Sequence, residues 1–297
     1  MGPLVRHRAT LLIPLLAALT VACENAAPPV AAKLTVPVDY YTMPNGLRVV
    51  LSRDTTAPTV GVGVYSHVGF RSEPMDRTGF AHLFEHLMFQ GSSNLGKLAF
   101  IKLVESNGGF LNGSTRFDFT NYYELVPSNA LETMLWAEAD RMRGLAINDA
   151  NLVNQRDVVK NEVRVNVLNQ PYGSFPWIDL PMAANQNWFN AHNFYGDMHD
   201  LDAANLKDVA SFHQTFYAPN NAVLAVVGDF DTKQARAWID KYFAGVAKID
   251  QPAPHDVTEP RQTTERRGTR VDALANRPAL AVAYHMPDRW TPDWYAM

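Results

Sequence analysis

Apolar residues along this chain first cluster in short extended runs and then switch to a helical period, and that order outlines the fold. Residues 45–52 (NGLRVVLS) and 59–66 (TVGVGVYS) are rich in Val, and the first opens on an Asn-Gly turn signal, so both predict strands. Phe80, Leu83, Phe84, Leu87 and Met88 recur at i, i+3, i+4, i+7 and i+8 and stop at Gly91, which predicts a helix. Leu98, Ile101, Leu103 and Val104 predict a second helix, ended by Gly108-Gly109. Residues 116–125 alternate as a strand. Asn129 and Glu132 form a capping-box pattern ahead of a helix through Met142. A long helix is expected over 148–169, stopped by Pro171, and another from Asp202 to about Phe216. Pro219-Asn220-Asn221 turns into a buried strand at 222–228 (AVLAVVG), and 231–243 is again helical. A polar stretch at 249–268 reads as a linker. Beyond it, 278–287 (PALAVAYHMP) predicts a strand and Asp288 the start of a helix.

Strands come in consecutive pairs, and so do helices. That argues an α+β fold with a mainly antiparallel sheet and helices packed on one face, rather than alternating βαβ units. At 297 residues, 47% hydrophobic and 19% charged, the chain can hold one large domain or two ordinary ones. A net charge of −4 with no Lys/Arg run leaves no electrostatic footprint for nucleic acid. One cysteine excludes an internal disulfide framework. No apolar run has the length of roughly 18 residues that a membrane-spanning helix needs.

The start of the chain has its own pattern. Arg6, His7 and Arg8 precede an apolar run at 11–22, the size of a signal-peptide core, which ends at Cys23. This resembles a lipoprotein signal, although Thr20 stands where a branched aliphatic residue is usual. The alternative is an ordinary secretory signal with Cys23 near the cut. Either way the expectation is export, to the bacterial periplasm or, through a lipid anchor at Cys23, to the membrane face of the cell envelope. The expected division is therefore signal 1–22, tether 23–33, a catalytic domain 34–248, linker 249–268, and the start of a second, similar domain at 269–297.

The sharpest chemical feature is His82-Leu83-Phe84-Glu85-His86. On a helix turning about 100° per residue, with Phe80 set at zero, the apolar set spans about −60° to +80°. Glu85 then falls at about 140°, His82 at about 200° and His86 at about 240°. The two imidazoles lie one turn apart and can reach a single ion. Glu85 is turned slightly aside, as suits a group that touches water rather than metal. A solvated polar helix face is the bland reading, but the HxxEH order is that of the inverzincin zinc peptidases. Such a site needs a third protein ligand and an open position.

With that motif the chain resembles the pitrilysin/insulysin and mitochondrial-processing-peptidase family of zinc metallopeptidases. Asn45-Gly46-Leu47, Gly69-Phe70-Arg71-Ser72-Glu73, Gly108 to Thr115, which resembles the family's glycine-rich turn before its substrate-holding edge strand, and Tyr217-Ala218-Pro219-Asn220-Asn221 carry the likeness further. The resemblance implies a third ligand glutamate on a later helix. Glu162, 76 positions after His86, matches in spacing and local pattern; without the motif it would read as a solvated helix glutamate. Many members carry a second glutamate seven residues before the ligand, and here that position is Gln155. The resemblance thus implies Zn2+ held by His82, His86 and Glu162, with Glu85 as general base for hydrolysis of unfolded peptides. Substrate would add as a strand to a sheet edge, with Asn112 and the backbone near Thr115 as docking groups. Asn112 reads equally well as a simple turn residue. His67, His192, His199, His213, His255 and His285 lack ligand spacing and are expected on the surface or in the core.

Three functions compete at this point: an active zinc endopeptidase, a non-catalytic partner subunit of a two-domain peptidase, and an envelope binding module that keeps a metal for stability. The family closes two similar domains around its substrate. This sequence carries only the opening of a second, so the chain on its own is expected to be weakly active or inactive and to need a complementary half.

Overall fold

The computed structural model describes residues 35–297; the leader and Cys23 lie outside them. In chain order the elements are β1 (Asp39–Thr42), β2 (Arg48–Arg53), β3 (Thr59–Ser66), α1 (Phe80–Leu87), α2 (Ala99–Ser106), β4 (Phe110–Thr115) and β5 (Thr120–Pro127). Then follow α3 (Leu131–Arg143), α4 (Asp149–Val163), α5 (Leu180–Ala184), α6 (Trp188–Ala191), α7 (Met198–Ala203), α8 (Leu206–Phe216), β6 (Ala222–Gly228), α9 (Thr232–Phe243) and α10 (Pro292–Ala296).

The six strands form one sheet in the order β1-β2-β6-β3-β5-β4. Every neighbouring pair is antiparallel except β2 and β6, so the class is α+β with a mainly antiparallel sheet. Alternation sorts the side chains. Val49, Leu51, Val60, Val62, Val64, Val126, Leu224 and Val226 are buried beneath Leu131, Met134 and Leu135 of α3 and Ile239 and Phe243 of α9. The opposite face presents Tyr40, Tyr65, Phe110, Tyr123, Leu125 and Val227 outward. A second cluster lies under α1: Phe80, Leu83, Phe84 and Leu87 pack on Leu152, Val159, Leu201, Phe212 and Tyr217. Phe84 stacks on Phe212 at 5.0 Å and on Tyr217 at 5.4 Å. Burying side chains of this size contributes roughly 1.5–3 kcal/mol each.

Several elements depart from the sequence pattern for identifiable reasons. The glycine-rich stretch expected as a turn before the edge strand is itself that strand, β4, and the strand expected over 116–125 begins only at Thr120. A turn closed by the Arg116 N–H on the Phe119 carbonyl, at 2.8 Å, separates the two. Helix α3 starts without a side-chain cap. Its Glu132 instead accepts from Lys241 Nζ and Tyr242 Oη on α9, so the capping box does not form. Helix α4 has the cap, Asn148 accepting from the Asn151 N–H, but ends at Val163 in a wider turn over Arg164–Leu168. The helix expected from Asp202 is two helices, because Asn205 caps α8 by accepting from the N–H groups of Lys207 and Asp208.

Pro278–Pro287 is the clearest correction. It forms no strand and pairs with none among the described residues, and Leu280, Val282 and Tyr284 point outward. The polar stretch before it is not simply solvated. His255 stacks on Phe189 at 4.0 Å, and Glu259 accepts from the N–H groups of Gln186 and Asn187 and from Asn190 Nδ2. Among the described residues no helix is long and apolar enough to cross a membrane.

Candidate metal centre

Helix α1 begins where the chain turns sharply. Gly79, its N-cap, sits at φ +84°, and a Cβ there would lie 2.8 Å from Cα of Gly196. From this start the helix carries His82 and His86 on the face turned toward α4. His82 is buried and His86 partly so. Their Nε2 atoms are 3.3 Å apart. Glu162, on the last turn of α4, brings Oε1 to 3.7 Å from His82 Nε2 and Oε2 to 3.2 Å from His86 Nε2. These contacts hold the Glu162 carboxyl well below the usual carboxylate range, the hydrogen bond from His82 first and that from His86 second. Among the described residues no other three His, Cys, Asp or Glu side chains converge in this way.

The set fits zinc. Two imidazole nitrogens and one carboxylate oxygen are the three-ligand donor set of a catalytic zinc site. A tetrahedral site with bonds of about 2.0–2.1 Å has ligand-to-ligand edges of about 3.3–3.4 Å; the 3.3 Å between the two Nε2 atoms matches, and the 3.2 Å from His86 Nε2 to Glu162 Oε2 comes close. One support is missing. Among the described residues His82 Nδ1 is buried with no hydrogen-bond partner, and its ring meets those of His86, at 5.0 Å, and Tyr195, at 6.4 Å, edge-on.

Glu85 stands apart from the triad and faces the edge strand. Its Oε2 accepts from Thr115 Oγ1 at 2.7 Å. Opposite it, β4 carries Gly113, where a Cβ would come within 3.2 Å of Glu85 Cγ; the glycine is what lets the carboxylate lie against the strand. Thr115 is buried, so its hydroxyl serves Glu85 rather than standing open to a ligand. Asn112 is exposed, and its Oδ1 accepts from the Gly113 N–H. Gln155 is buried two turns before Glu162, about 10 Å along the helix, and donates to Asn154 Oδ1. Beside Glu162 opens a cavity of about 300 Å³ walled by Val163, Val167, Pro176, Trp177 and Tyr195.

Some residues at the site carried no role in the sequence reading. Glu73 accepts from the N–H groups of Gly79 and Ala81 and faces His192 Nε2. Its signal was in plain sight, a carboxylate just ahead of a helix start. His192 is buried and His213 partly so. Tyr195 and Trp177 lie on irregular or short elements with no periodicity to read.

The family described as insulinase (peptidase family M16) matches residues 48–175, and that described as the peptidase M16 inactive domain matches 203–297. The chain is 30% identical over 261 residues to the zinc protease PqqE of Helicobacter pylori, spanning 84% of this chain and 56% of that protein. It is 28% identical over 254 residues to cytochrome b-c1 complex subunit 1 of Bos taurus, spanning 85% and 52%. The crystal structure of a protease from Helicobacter pylori superposes with a TM-score of 0.72 at 31% identity, over 78% of this chain and 56% of that one. The chain thus spans about half the length of the curated relatives it matches. By its motif, its fold and both family matches, the chain belongs to the insulinase (M16) family of peptidases.

Proposed function

We propose that this chain is the metal-carrying half of a zinc metalloendopeptidase acting on unfolded peptides. The observation that carries the reading is the convergence of His82, His86 and Glu162 with Glu85 held beside them. His82, His86 and Glu162 would hold the ion. Zinc, when bound, supplies a Lewis acid that polarises the scissile carbonyl and makes water acidic enough to attack near neutral pH. Glu85 takes the proton of the attacking water and returns it to the leaving amine. Thr115 aims that carboxylate through the hydroxyl it donates. The peptide adds to the outer edge of β4, which among the described residues pairs with β5 alone. Backbone pairing of this kind reads the main chain more than side chains. Asn112, exposed on β4, is the side chain closest in sequence to that docking, and Gln155 supports α4 from two turns away.

Residues 34–248 are the catalytic domain in this reading, 249–268 the linker and 269–297 the opening of a second domain. The half-length match to the relatives supports a complementary half as partner. The apolar leader supports export, and Cys23 a lipid anchor; Cys23→Ala should move the protein from the membrane fraction to the soluble one. A partner without chemistry of its own is the competing reading, and the intact quartet of His82, Glu85, His86 and Glu162 speaks against it.

The test is zinc content and cleavage of a quenched peptide, with and without the complementary half supplied. One equivalent of zinc is expected in both the parent and Glu85→Gln. The parent should turn over only weakly alone, and the variant should lose at least about 100-fold of the reconstituted rate. Equal rates in the two proteins would remove Glu85 and the peptidase reading together.

A further inference from the structure

Glu73 has no exposed surface, yet it is a carboxylate. Its two oxygens are divided between two backbone donors: Oε2 accepts from the Gly79 N–H at 2.9 Å and Oε1 from the Ala81 N–H at 2.8 Å. These are donors that a helix start leaves without intrahelical partners. One belongs to the N-cap of α1 and the other to the residue just before His82. From behind, His192 Nε2 faces Glu73 Oε2 at 3.4 Å. His192 is itself fixed, its ring stacked on Trp188 at 4.1 Å and its Nδ1 3.0 Å from the Trp188 carbonyl. Two residues earlier, Arg71 Nε donates to Asn190 Oδ1 at 2.8 Å, so the two stretches are joined twice.

His82 is the ligand in need of such support. A metal-binding histidine is ordinarily oriented by an acceptor on its other ring nitrogen, and among the described residues His82 Nδ1 has none. The direction of its Nε2 therefore follows the backbone of the first turn of α1. We infer that Glu73 is a positioning residue for the metal centre. By gripping the N–H groups of Gly79 and Ala81, with the His192 ring packed behind it, Glu73 sets that turn and so aims His82. The inference rests on the zinc reading above and adds a residue to it.

The experiment measures the zinc dissociation constant of the full chain by competition with a chromophoric chelator, beside the urea midpoint of the metal-free protein. Glu73→Gln keeps the shape but can accept with one atom only, so one backbone donor loses its partner. Zinc binding should weaken about 10- to 100-fold. Asp140→Asn is the control. Asp140 is equally buried and accepts from Ser92 Oγ and the Asn94 N–H away from the ligands. It should lose stability while keeping zinc affinity within about two-fold of the parent. His192→Phe keeps the stacking on Trp188, removes the nitrogen facing Glu73 and should weaken zinc binding as well. A folded Glu73→Gln or His192→Phe protein with zinc affinity within two-fold of the parent overturns the inference. So does a control that weakens zinc as much, or failure of both variants to fold, which would make the pair a requirement of the fold instead. If the parent binds no zinc, or His86→Ala binds it equally well, the proposed site itself is wrong. If His86→Ala loses zinc and Glu73→Gln does not, only the positioning role falls.

Discussion

A carboxylate proposed to move a proton has to be aimed, and here the aiming is done by neighbours with no chemistry of their own. Thr115 points Glu85, Gly113 makes room for it, and Glu73 holds the turn from which His82 projects. The motif residues announced themselves in the sequence, and Glu162 followed through the resemblance that the motif carries. A threonine and a glycine in a strand look like any others until the strand is laid against the helix. His213 shows a different residue-scale effect. Its ring is stacked on Tyr217 at 5.5 Å, its Nε2 is buried without a partner, and burial lowers its pKa to about 4. The unfolded chain takes up that proton below about 6.5, whereas the folded protein resists it until about pH 4. This contribution to stability is therefore complete above about pH 6.5, declines as pH falls, and is spent by about pH 4, to a total of at most about 3 kcal/mol. His213→Phe should flatten that decline, read from urea midpoints at pH 7 and pH 4.5. Parallel losses in parent and variant would assign the acid sensitivity to other groups.

Among the elements, α1 is the most constrained. Its N-cap Gly79 combines a positive φ with a backbone neighbour at Gly196, so neither strain nor crowding can be relieved by turning a side chain. Gly79→Ala should destabilise the protein by about 2–5 kcal/mol, measured by urea unfolding; a loss under about 0.5 kcal/mol would show that the two segments separate easily. The sequence was most legible where period and burial coincide. The Val-rich β3 and β6, the apolar stripe of α1 and the Asp231-capped α9 are all found close to where their patterns place them. It misled where a polar side chain has more than one use. Glu132 could complete a cap or bridge to α9, and tertiary contact won. Asn205 could continue a helix or start one, and its oxygen took two N–H groups. The alternation at 278–287 is a statement about side chains, but a strand also needs an edge to pair with, and that lies outside local sequence. The three proposed ligands illustrate both situations. His82 and His86 are bound by helical period, while Glu162 reaches them only through the packing of α4 on α1.

At the scale of the molecule, the sheet has one dressed face and one bare one. Helices cover Val62 and its neighbours, while Phe110, Tyr123, Leu125 and Val227 form an exposed apolar band. The irregular chain after α9 is pinned near α6 by Glu259, whose partner Asn190 also binds Arg71. The order of the strands carries one more consequence, which concerns time. The last strand of the sheet to be synthesised, β6, is not at its rim but between β2 and β3, bonded in parallel to one and antiparallel to the other. Before it arrives, β1-β2 and β3-β5-β4 are two separate ribbons with apolar flanks. Sheet closure depends on contacts between distant parts of the chain, which makes it slow. A fragment ending at residue 221 should therefore show no cooperative urea transition; a sharp one would mean that the ribbons join without it. A nascent chain must hold His82, Glu85, His86 and Glu162 on an unfinished scaffold until Gly228 has been made. The central strand is thus a built-in delay: the ribosome finishes every residue of the proposed metal site well before the sheet can close beneath it.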